Sequence, residues 1–433
     1  MTQTPELELT IGPPAHGGHC VARHEGRVIF VRHALPGEVV KARLTEYDDD
    51  ARFWRADATE VVQASTDRVN HPWPLADAAL AGMRGTRPVG GAEFGHIGLA
   101  AQRRLKADIF TEQLARLGKI DRRITVEAVP DESPDGLGWR TRVGFAVDPD
   151  GHLAMHEHRS TTLVPVADMP LAVPAINALA LWERDFSGVD GVEVAAGSGD
   201  EEPLVLLRST QDPPGRALRA LAEGIPGASV AVLNPDTGSV LRLRGRTWVR
   251  EVVGGHTFRV TGEGFWQIHR SAPRVLTEAV LEGLQPASGA RVADLYAGAG
   301  LFTAALAERV GQTGSVLSVE GSPAASRDAR RNLHGRDHVD IVQGKVEKVL
   351  RERRPHLDAV VLDPPRAGAG RETVRAIAGT GAKAVVYVSC DPASFARDVA
   401  YFAAAGWGLD SLRVFDLYPH THHMESVAVL RPL

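Results

Sequence analysis

The sequence predicts a multidomain α/β protein that starts with a small β-barrel, continues into an α+β domain and ends in a Rossmann-like parallel sheet. Three observations lead to this prediction. The chain has 433 residues, whereas single domains usually contain about 100–200. Short strand patterns separated by turns crowd into the first 62 residues. From about residue 255 onward, apolar β-runs alternate with helical segments.

The first predicted domain, residues 1–62, has the pattern of a small β-barrel. Gly17 and Gly18 mark one turn, and the alternating runs at 27–31 and 39–44 have strand character. The Leu-Pro-Gly-Glu run at 35–38 forms a second turn signal. Several short strands in so few residues favour a barrel, although another small β-domain fits the same pattern.

The second predicted domain, residues 63–250, has mixed α+β character. Prolines and glycines make its first part loop-rich, and apolar spacing predicts a helix from about residue 100 to 117. Residues 142–147 and 204–207 have strand patterns. We find no repeat of fixed period and no low-complexity tract in the sequence.

The third predicted domain, residues 251–433, contains near-continuous apolar strands separated by helices. This pattern indicates a parallel sheet that is covered on both faces. Ligands of such sheets bind at the carboxyl ends of the strands. Glu320, Asp363 and Cys390 each close one of these runs, so we expect the three side chains at the same edge.

Composition narrows the possible functions. The net charge of −5 excludes a polycation, so any nucleic-acid contact must come from local basic patches. Two cysteines, Cys20 and Cys390, exclude a disulfide framework and suit a reducing cytoplasm. The N-terminus lacks a signal-peptide pattern, and no stretch of about 18 apolar residues predicts a membrane span. We therefore expect a cytoplasmic protein without a membrane partner.

The segment at 291–309 predicts a nucleoside-cofactor site. A strand runs into Ala-Gly-Ala-Gly at 297–300, and a helix follows. Glu320 closes the next strand, where a carboxylate can accept both hydroxyls of a ribose. A dinucleotide site would need a third glycine, but Thr303 stands there. Asp294, before the glycines, suits the amino group of an amino acid, which favours S-adenosylmethionine over a dinucleotide.

Two further segments offer catalytic groups. Cys390 precedes a helix that begins near Pro392, and the positive end of that helix should lower the pKa of the thiol. An inert buried cysteine is the alternative. The run His-Thr-His-His-Met-Glu at 420–425 lacks the spacing of common metal sites, so we expect no metal there.

Together these motifs resemble the uracil-5 RNA methyltransferase family. The runs around Cys390 and Glu425 are similar to the family's nucleophile and general-base segments. Asp363-Pro-Pro-Arg matches its signature loop, and the run at 264–269 is similar to the segment whose glutamine, here Gln267, contacts the cofactor. The first 62 residues resemble a TRAM domain, an OB-like RNA-binding barrel.

The resemblance implies an S-adenosylmethionine-dependent enzyme that methylates C5 of a uridine in tRNA or 23S rRNA. It assigns covalent addition to C6 of the base to Cys390 and removal of the C5 proton to Glu425. The residues expected around the cofactor are Gln267, Asp294, Tyr296, Gly298, Gly300, Glu320 and Asp363. RNA is the expected partner, and DNA is not.

One departure concerns an iron–sulfur cluster that many members of this family hold through four cysteines. The matching positions carry Val89, Ala92, His71 and Met169 instead, so we expect no cluster. Arg103 to Lys106, Arg140 to Arg142 and Arg242 to Arg250 are candidate basic patches for RNA, although ordinary solvated surface explains them equally well.

Two alternatives remain open from the sequence. A cytosine-5 RNA methyltransferase uses the same thiolate addition, although usually with a Pro-Cys motif where this chain has Ser389-Cys390. An RNA-binding protein with an inactive methyltransferase fold is the other. The presence of both Cys390 and Glu425 counts against inactivity, whereas the missing cluster cysteines favour it mildly.

Overall fold

The computed structural model describes residues 5–158, 160–199, 201–211 and 214–433. Within these ranges the strands form an N-terminal sheet of six strands, a central sheet of seven, a separate two-stranded ribbon and a C-terminal sheet of eight. The multidomain α/β class predicted from the sequence is confirmed.

The N-terminal sheet curls around its own apolar core. Its strand order is β1-β5-β6-β4-β3-β2, and β1 also packs against β3. Its core includes Leu9, Ile29, Val31 and Val40. The strands are β1 (Glu6–Thr10), β2 (Pro14–Ala15), β3 (His19–His24), β4 (Arg27–Arg32), β5 (Val39–Glu46) and β6 (Phe53–Gln63).

The central sheet has the order β10-β9-β8-β11-β12-β13-β14 and is antiparallel except between β12 and β13. It carries a second core. The elements from the barrel to the ribbon are α1 (Ala78–Met83), α2 (Leu99–Gly118), β7 (Val126–Ala128), β8 (Arg142–Val147), β9 (Leu153–His156), β10 (Leu163–Pro165), α3 (Pro174–Asn177), β11 (Gly191–Ala195), β12 (Leu204–Arg208), α4 (Arg216–Glu223), β13 (Ser229–Leu233), β14 (Val240–Arg244), β15 (Trp248–Val253) and β16 (His256–Thr261).

The C-terminal sheet has the order β19-β18-β17-β20-β21-β23-β22-β7, in which the first five strands are parallel and β23 is antiparallel to both neighbours. Its elements are α5 (Ala272–Leu284), β17 (Arg291–Leu295), α6 (Leu301–Val310), β18 (Ser315–Glu320), α7 (Pro323–Asn332), β19 (Val339–Gln343), α8 (Val346–Arg353), β20 (Ala359–Leu362), α9 (Gly370–Ala378), β21 (Ala384–Ser389), α10 (Pro392–Ala404), β22 (Trp407–Asp416) and β23 (Glu425–Pro432).

Both faces of this sheet are buried, as the continuous apolar strands predict. Val360 belongs to the core under α8, α9 and α10, whereas its neighbour Val361 belongs to the core under α5 and α6. Alternate residues of one strand point to opposite faces, so every position of β20 and β21 must be compatible with a core. The central strands β20 and β21 are accordingly buried along their whole length.

Two elements that precede the central sheet lie with the C-terminal sheet. Helix α2 packs against α10, and β7 pairs in parallel with β22 as the edge strand. Residues 99–128 thus pack together with residues 272–432, although 143 residues lie between the two ranges in the sequence. The boundaries 1–62, 63–250 and 251–433 remain a prediction about folding units.

Among the described helices, none is both long enough and apolar enough to cross a membrane.

Candidate active site

The side chains predicted to carry the chemistry meet at the end of one antiparallel ladder. Strands β21 and β23 pair with Ser389 opposite Ser426. Cys390 directly follows Ser389, and Glu425 directly precedes Ser426, so the two residues lie next to the last pair of this ladder. Both side chains line the same cleft.

The cleft lies at the carboxyl ends of the parallel strands and has a volume of about 750 Å³. That volume falls in the range of about 300–1,000 Å³ that is usual for small-molecule sites. Seven of the nine residues predicted for the site line it, and these are Cys390, Glu425, Gln267, Tyr296, Gly298, Glu320 and Asp363. The two others, Asp294 and Gly300, do not.

Glu425 begins β23 and is only 2% exposed. Its Oε2 atom accepts a hydrogen bond of 3.1 Å from the Tyr418 hydroxyl. Burial and the nearby Asp363 carboxylate raise the pKa of Glu425 well above its ordinary value, against the opposite effects of Tyr418 and Arg366. A raised pKa makes the Glu425 carboxyl group a weaker acid, and its carboxylate a stronger base, than an exposed glutamate.

The environment of Cys390 contradicts one prediction. The helix that follows does begin at Pro392, as expected. However, burial, together with the charges of Glu425 and Asp363, raises the pKa of the Cys390 thiol to about 12. The carboxylates and the loss of water outweigh the positive end of the helix, because Asp391 already caps that end with its own carboxylate.

Arg366 is the positive group that acts on both members of the pair. Its guanidinium lowers the pKa of Cys390 and of Glu425, and it lines the cleft on the Asp-Pro-Pro-Arg loop. Its Nη2 atom lies 3.1 Å and 3.0 Å from the two ring nitrogens of His423. A guanidinium nitrogen equidistant from both nitrogens faces the ring, so this contact holds the cation beside the cleft.

The glycine-rich turn after β17 forms the opposite wall. Tyr296 and Gly298 have positive φ values of 64° and 57°, and the backbone turns sharply between strand and helix. The Glu320 carboxylate accepts hydrogen bonds from the backbone N–H groups of Gly298 at 2.8 Å and Ser322 at 2.6 Å. Each carboxylate oxygen accepts about two hydrogen bonds, so both keep capacity for a ribose hydroxyl.

Asp294 and Gly300 lie behind this wall. Asp294 is fully buried, and its Oδ2 accepts a hydrogen bond of 2.5 Å from the Thr303 hydroxyl. Burial raises the pKa of Asp294 to about 7. Gly300 begins α6 with a φ of 93° and packs near Leu333. Among the described residues, neither of the two lines the cleft. Asp294 was predicted to face the cofactor, but its side chain points from β17 toward Thr303 of α6.

Gln267 and Asp363 connect the two walls. The Gln267 amide donates a hydrogen bond of 3.4 Å to the Asp363 carboxylate. Burial and the nearby Asp294 raise the pKa of Asp363. The cleft thus offers the Glu320 carboxylate for a ribose, the polar Gln267–Asp363 pair and the apolar Phe302. Together these groups fit an adenosine moiety with an amino acid attached.

Sequence reasoning missed several cleft residues. Trp139 comes from the central part of the chain, as does Arg140, which the sequence indicated only as part of a basic patch, and the exposed Phe265 also lines the cleft. Tyr418 reaches the cleft from the loop before β23. No spacing relates Trp139 or Arg140 to the catalytic motifs, whereas Tyr418, seven residues before Glu425, could have been suspected from its proximity along the chain.

The histidines before Glu425 hold the loop in position. The His420 ring bonds the carbonyl of Asp135 at 2.8 Å, and the His422 ring contacts the Glu93 carboxylate. Ligand atoms of Glu93, His422 and His423 lie within 4.8 Å of one another. The Glu93 carboxylate contacts His422, and Arg366 contacts His423. The absence of a metal here stays a prediction.

The positions that correspond to cluster cysteines lie close together but lack the chemistry for a cluster. The His71 ring bonds the Ala92 carbonyl at 2.9 Å, and Met169 is only 1% exposed in the central core. Iron–sulfur clusters require thiolates. The two cysteines of the chain, Cys20 and Cys390, are both free and lie elsewhere, so these residues do not fit the cluster.

The predicted basic patches are largely not free surface. Lys106 is fully buried against Asp416, and Arg103 pairs with Glu132. Arg142 donates to the Gly264 carbonyl at 2.6 Å, so this second patch supports the cleft rather than a solvent face. In the third, Arg246 and Arg250 both pair with Glu201. Helical and strand spacing alone cannot show whether an arginine has a partner.

Comparison with known proteins identifies relatives along the whole chain. Residues 252–432 match the model of tRNA (uracil-5-)-methyltransferases, and residues 4–54 match the TRAM domain. An uncharacterized RNA methyltransferase of Streptomyces avermitilis is 45% identical, with 99% of this chain and 98% of that protein covered. One from Streptomyces coelicolor is 44% identical, with 99% and 93% covered.

Among solved structures, the chain is similar to the Pyrococcus abyssi tRNA (uracil-54, C5)-methyltransferase, which was crystallised with S-adenosyl-L-homocysteine. The TM-score is 0.72 at 21% identity, with 97% of this chain and 99% of that chain covered. The likeness shows a common fold across all three sheets.

Proposed function

We propose that this chain methylates C5 of a uridine in RNA. The chain belongs to the tRNA (uracil-5-)-methyltransferase family of S-adenosylmethionine-dependent RNA methyltransferases. One observation carries the proposal. A thiol, Cys390, follows the last residue of β21, and a carboxyl group, Glu425, begins the paired strand β23; both line one cleft, and the Glu425 charge acts on the thiol. A nucleophile and a proton acceptor on the same face are what methylation of uracil C5 requires.

S-adenosylmethionine supplies, when bound, a sulfonium methyl group that carbon C5 of an activated ring can attack. Residues that would hold it are Glu320, Gly298 and Tyr296 on the glycine-rich wall, together with Gln267 and Asp363, which connect the two walls. We propose that Glu320 accepts the ribose hydroxyls, because both of its oxygens are held in place by backbone N–H groups and retain free lone pairs.

Cys390 provides the activation in this proposal. Its sulfur adds to C6 of the uracil, which forms a C6–S bond and moves an electron pair toward C5. The thiol proton passes to solvent before or during this addition, because a thiol with a pKa of about 12 starts out protonated in the free protein. Arg366 favours the loss of that proton, because its positive charge lowers the pKa of the thiol.

Glu425 completes the reaction. After methylation, C5 carries both a methyl group and its original proton. The Glu425 carboxylate takes the proton, the electrons of the C5–H bond restore the C5–C6 double bond, and the C6–S bond breaks. A buried carboxylate with a raised pKa is a stronger base than an exposed one, which suits removal of a carbon-bound proton.

The test uses RNA that contains 5-fluorouridine. Fluorine at C5 cannot leave as a proton, so the covalent complex persists. We expect the unmodified protein, with S-adenosylmethionine and either a tRNA or a 23S rRNA transcript, to form a complex that survives denaturing electrophoresis. The Cys390→Ala variant should form none, and trapping with 5-fluorocytidine RNA alone would contradict the uridine assignment.

The RNA class is the finer part of the proposal. Mapping 5-methyluridine in tRNA and 23S rRNA from cells with and without this protein should reveal one position that depends on it. Loss of the mark from neither RNA would contradict a substrate in these two classes.

A further inference from the structure

One hairpin of the N-terminal barrel reaches both catalytic segments. It consists of β2, the turn at 16–18 and the start of β3, and we call it the 14–19 hairpin. Strand β2 packs against α2, which brings the turn to the end of the C-terminal sheet. The turn contains the consecutive glycines Gly17 and Gly18, with φ values of 89° and 80°.

The first contact is with the residue that follows the nucleophile. His16 Nε2 lies 2.9 Å from Asp391 Oδ2, and the other carboxylate oxygen accepts the Ser394 N–H at 2.7 Å. Although burial acts in the opposite direction, these bonds lower the pKa of Asp391 to about 2, so it is a carboxylate at neutral pH. Asp391 is therefore held between its own helix and the barrel.

The second contact is with the segment that carries the base. Gly18 is buried against the His422 ring, so closely that a Cβ atom there would lie 3.2 Å from three atoms of that side chain. His422 precedes Glu425 by three residues and is fixed from its other side by Glu93. One hairpin thus touches the chain directly after Cys390 and shortly before Glu425.

We propose that the 14–19 hairpin is a positioning element of the active site and that His16 acts, through Asp391, as a positioning residue for Cys390. The inference rests on the proposed function. Its physical basis is that Cys390 lies beyond the last paired residue of β21, where the ladder no longer restrains the backbone. The barrel is then part of the catalytic machinery and not solely a domain that holds RNA.

The main experiment measures the rate of covalent trapping in a single turnover with the 5-fluorouridine transcript. We expect His16→Ala to slow trapping about ten- to hundredfold, since misplacement of a reacting group by about 1 Å has effects of that size. His16→Gln, which keeps an N–H donor, should recover part of the rate. His24→Ala, at the far end of β3, is the matched control and should trap at the unmodified rate.

A second pair of variants tests the other contact. Gly18→Ala and Gly17→Ala impose the same backbone strain, because both positions have positive φ. A Cβ at Gly17 meets only the His19 ring at 3.5 Å, an ordinary contact, whereas one at Gly18 displaces His422. We expect Gly18→Ala to slow trapping more than Gly17→Ala at equal thermal midpoints. Equal rates in these two variants, or an unchanged rate in His16→Ala, would overturn the inference.

A measurement without RNA separates this inference from the proposed function. Iodoacetamide alkylation of Cys390, located by mass spectrometry, should be faster in His16→Ala than in the unmodified protein and unchanged in His24→Ala, because the released segment is less shielded. If the unmodified protein traps no RNA, the proposed function fails, and the alkylation rates still decide the positioning role. Equal alkylation in all three proteins would count against it.

Discussion

Cys390, which we propose as the nucleophile, carries a thiol that stays protonated near neutral pH in the free protein. Burial contributes most to its raised pKa, and the carboxylates of Glu425 and Asp363 add to it. Arg366 opposes the carboxylates. A thiol that becomes reactive only when charges in the cleft change is protected from unwanted alkylation and oxidation, since the thiolate is the reactive form.

We expect iodoacetamide alkylation of Cys390 to keep rising above pH 10, because the pKa of the thiol is about 12. Glu425→Gln should move this rise to lower pH, since it removes the negative charge with the largest effect on the thiol. The exposed Glu282→Gln is the control and should leave the profile unchanged. A half-maximal rate at a pH of about 8.5, which is the ordinary pKa of a cysteine thiol, would contradict the raised pKa of Cys390.

Glu425→Gln should also change the fate of ordinary uridine RNA. Without the carboxylate, the C5 proton stays and the C6–S bond cannot break, so a methylated covalent complex should accumulate on unfluorinated transcript. Denaturing electrophoresis with a radiolabelled methyl donor measures it. If Glu425→Gln releases 5-methyluridine at the unmodified rate, another group removes the proton.

The same substitution should reveal an electrostatic cost in the folded protein. The pKa of Glu425 is raised on folding, so the folded state binds more protons than the unfolded state between an unfolded value of about 4.3 and the raised value. Stability therefore falls as the pH rises through that window. We expect Glu425→Gln to raise the thermal midpoint at pH 8 but not at pH 4, and equal gains at both would contradict the assignment.

At the scale of elements, helix α2 restrains the segment that carries the general base. Lys106 Nζ, fully buried, contacts Asp416 Oδ1 at 2.5 Å and the Tyr418 carbonyl at 3.1 Å. One turn earlier, the Gln102 carboxamide accepts the His420 N–H at 2.8 Å. The loop between β22 and β23 is thus held by a helix that lies about 300 residues away in sequence, as the separations of 310 and 318 residues show.

We expect Lys106→Met to destabilise the protein by about 3–5 kcal/mol, because the buried Asp416 carboxylate loses the cation that contacts it directly and keeps only Arg103, at 3.8 Å, among the described residues. Lys106→Met combined with Asp416→Leu should restore much of the loss. Urea denaturation followed by fluorescence measures both variants. Lys348→Met, at an exposed helical pair, is the control and should change stability by less than about 1 kcal/mol.

At the scale of the whole molecule, all three parts of the chain contribute to the candidate active site. The central segment and the C-terminal sheet line the cleft, with Trp139 and Arg140 and with Cys390 and Glu425. The 14–19 hairpin of the barrel contacts Asp391, the residue after Cys390. A site built in this way is sensitive to changes in packing far from the reacting atoms.

We expect the purified protein to contain no stoichiometric iron and to trap RNA equally well after treatment with a chelator. Of the residues at the cluster positions, Val89, Ala92 and Met169 pack in the central core, and the His71 ring bonds the Ala92 carbonyl and accepts the Trp73 N–H. Iron analysis and the absorbance spectrum of protein purified without oxygen provide the measurement. One cluster per chain would contradict the prediction.

The sequence by itself determined four of the five parallel strands, namely β17, β18, β20 and β21, helix α2, and the residues that close or follow these strands. These follow from local periodicity and from glycine and proline signals, which depend on neighbours along the chain. The strands that end at Glu320, Asp363 and Cys390 were predicted correctly, as was α2, and seven of the nine predicted residues line the cleft.

Only the tertiary structure decided what those residues experience. Strand pairing brings Cys390 near Glu425, and the charges and burial around the thiol raise its pKa. Asp294 is buried, and His16 contacts Asp391. Each of these features depends on residues that are far apart in sequence. Burial and charge depend on everything packed around a group, and strand pairing is set by both strands together. No pattern within one segment contains that information.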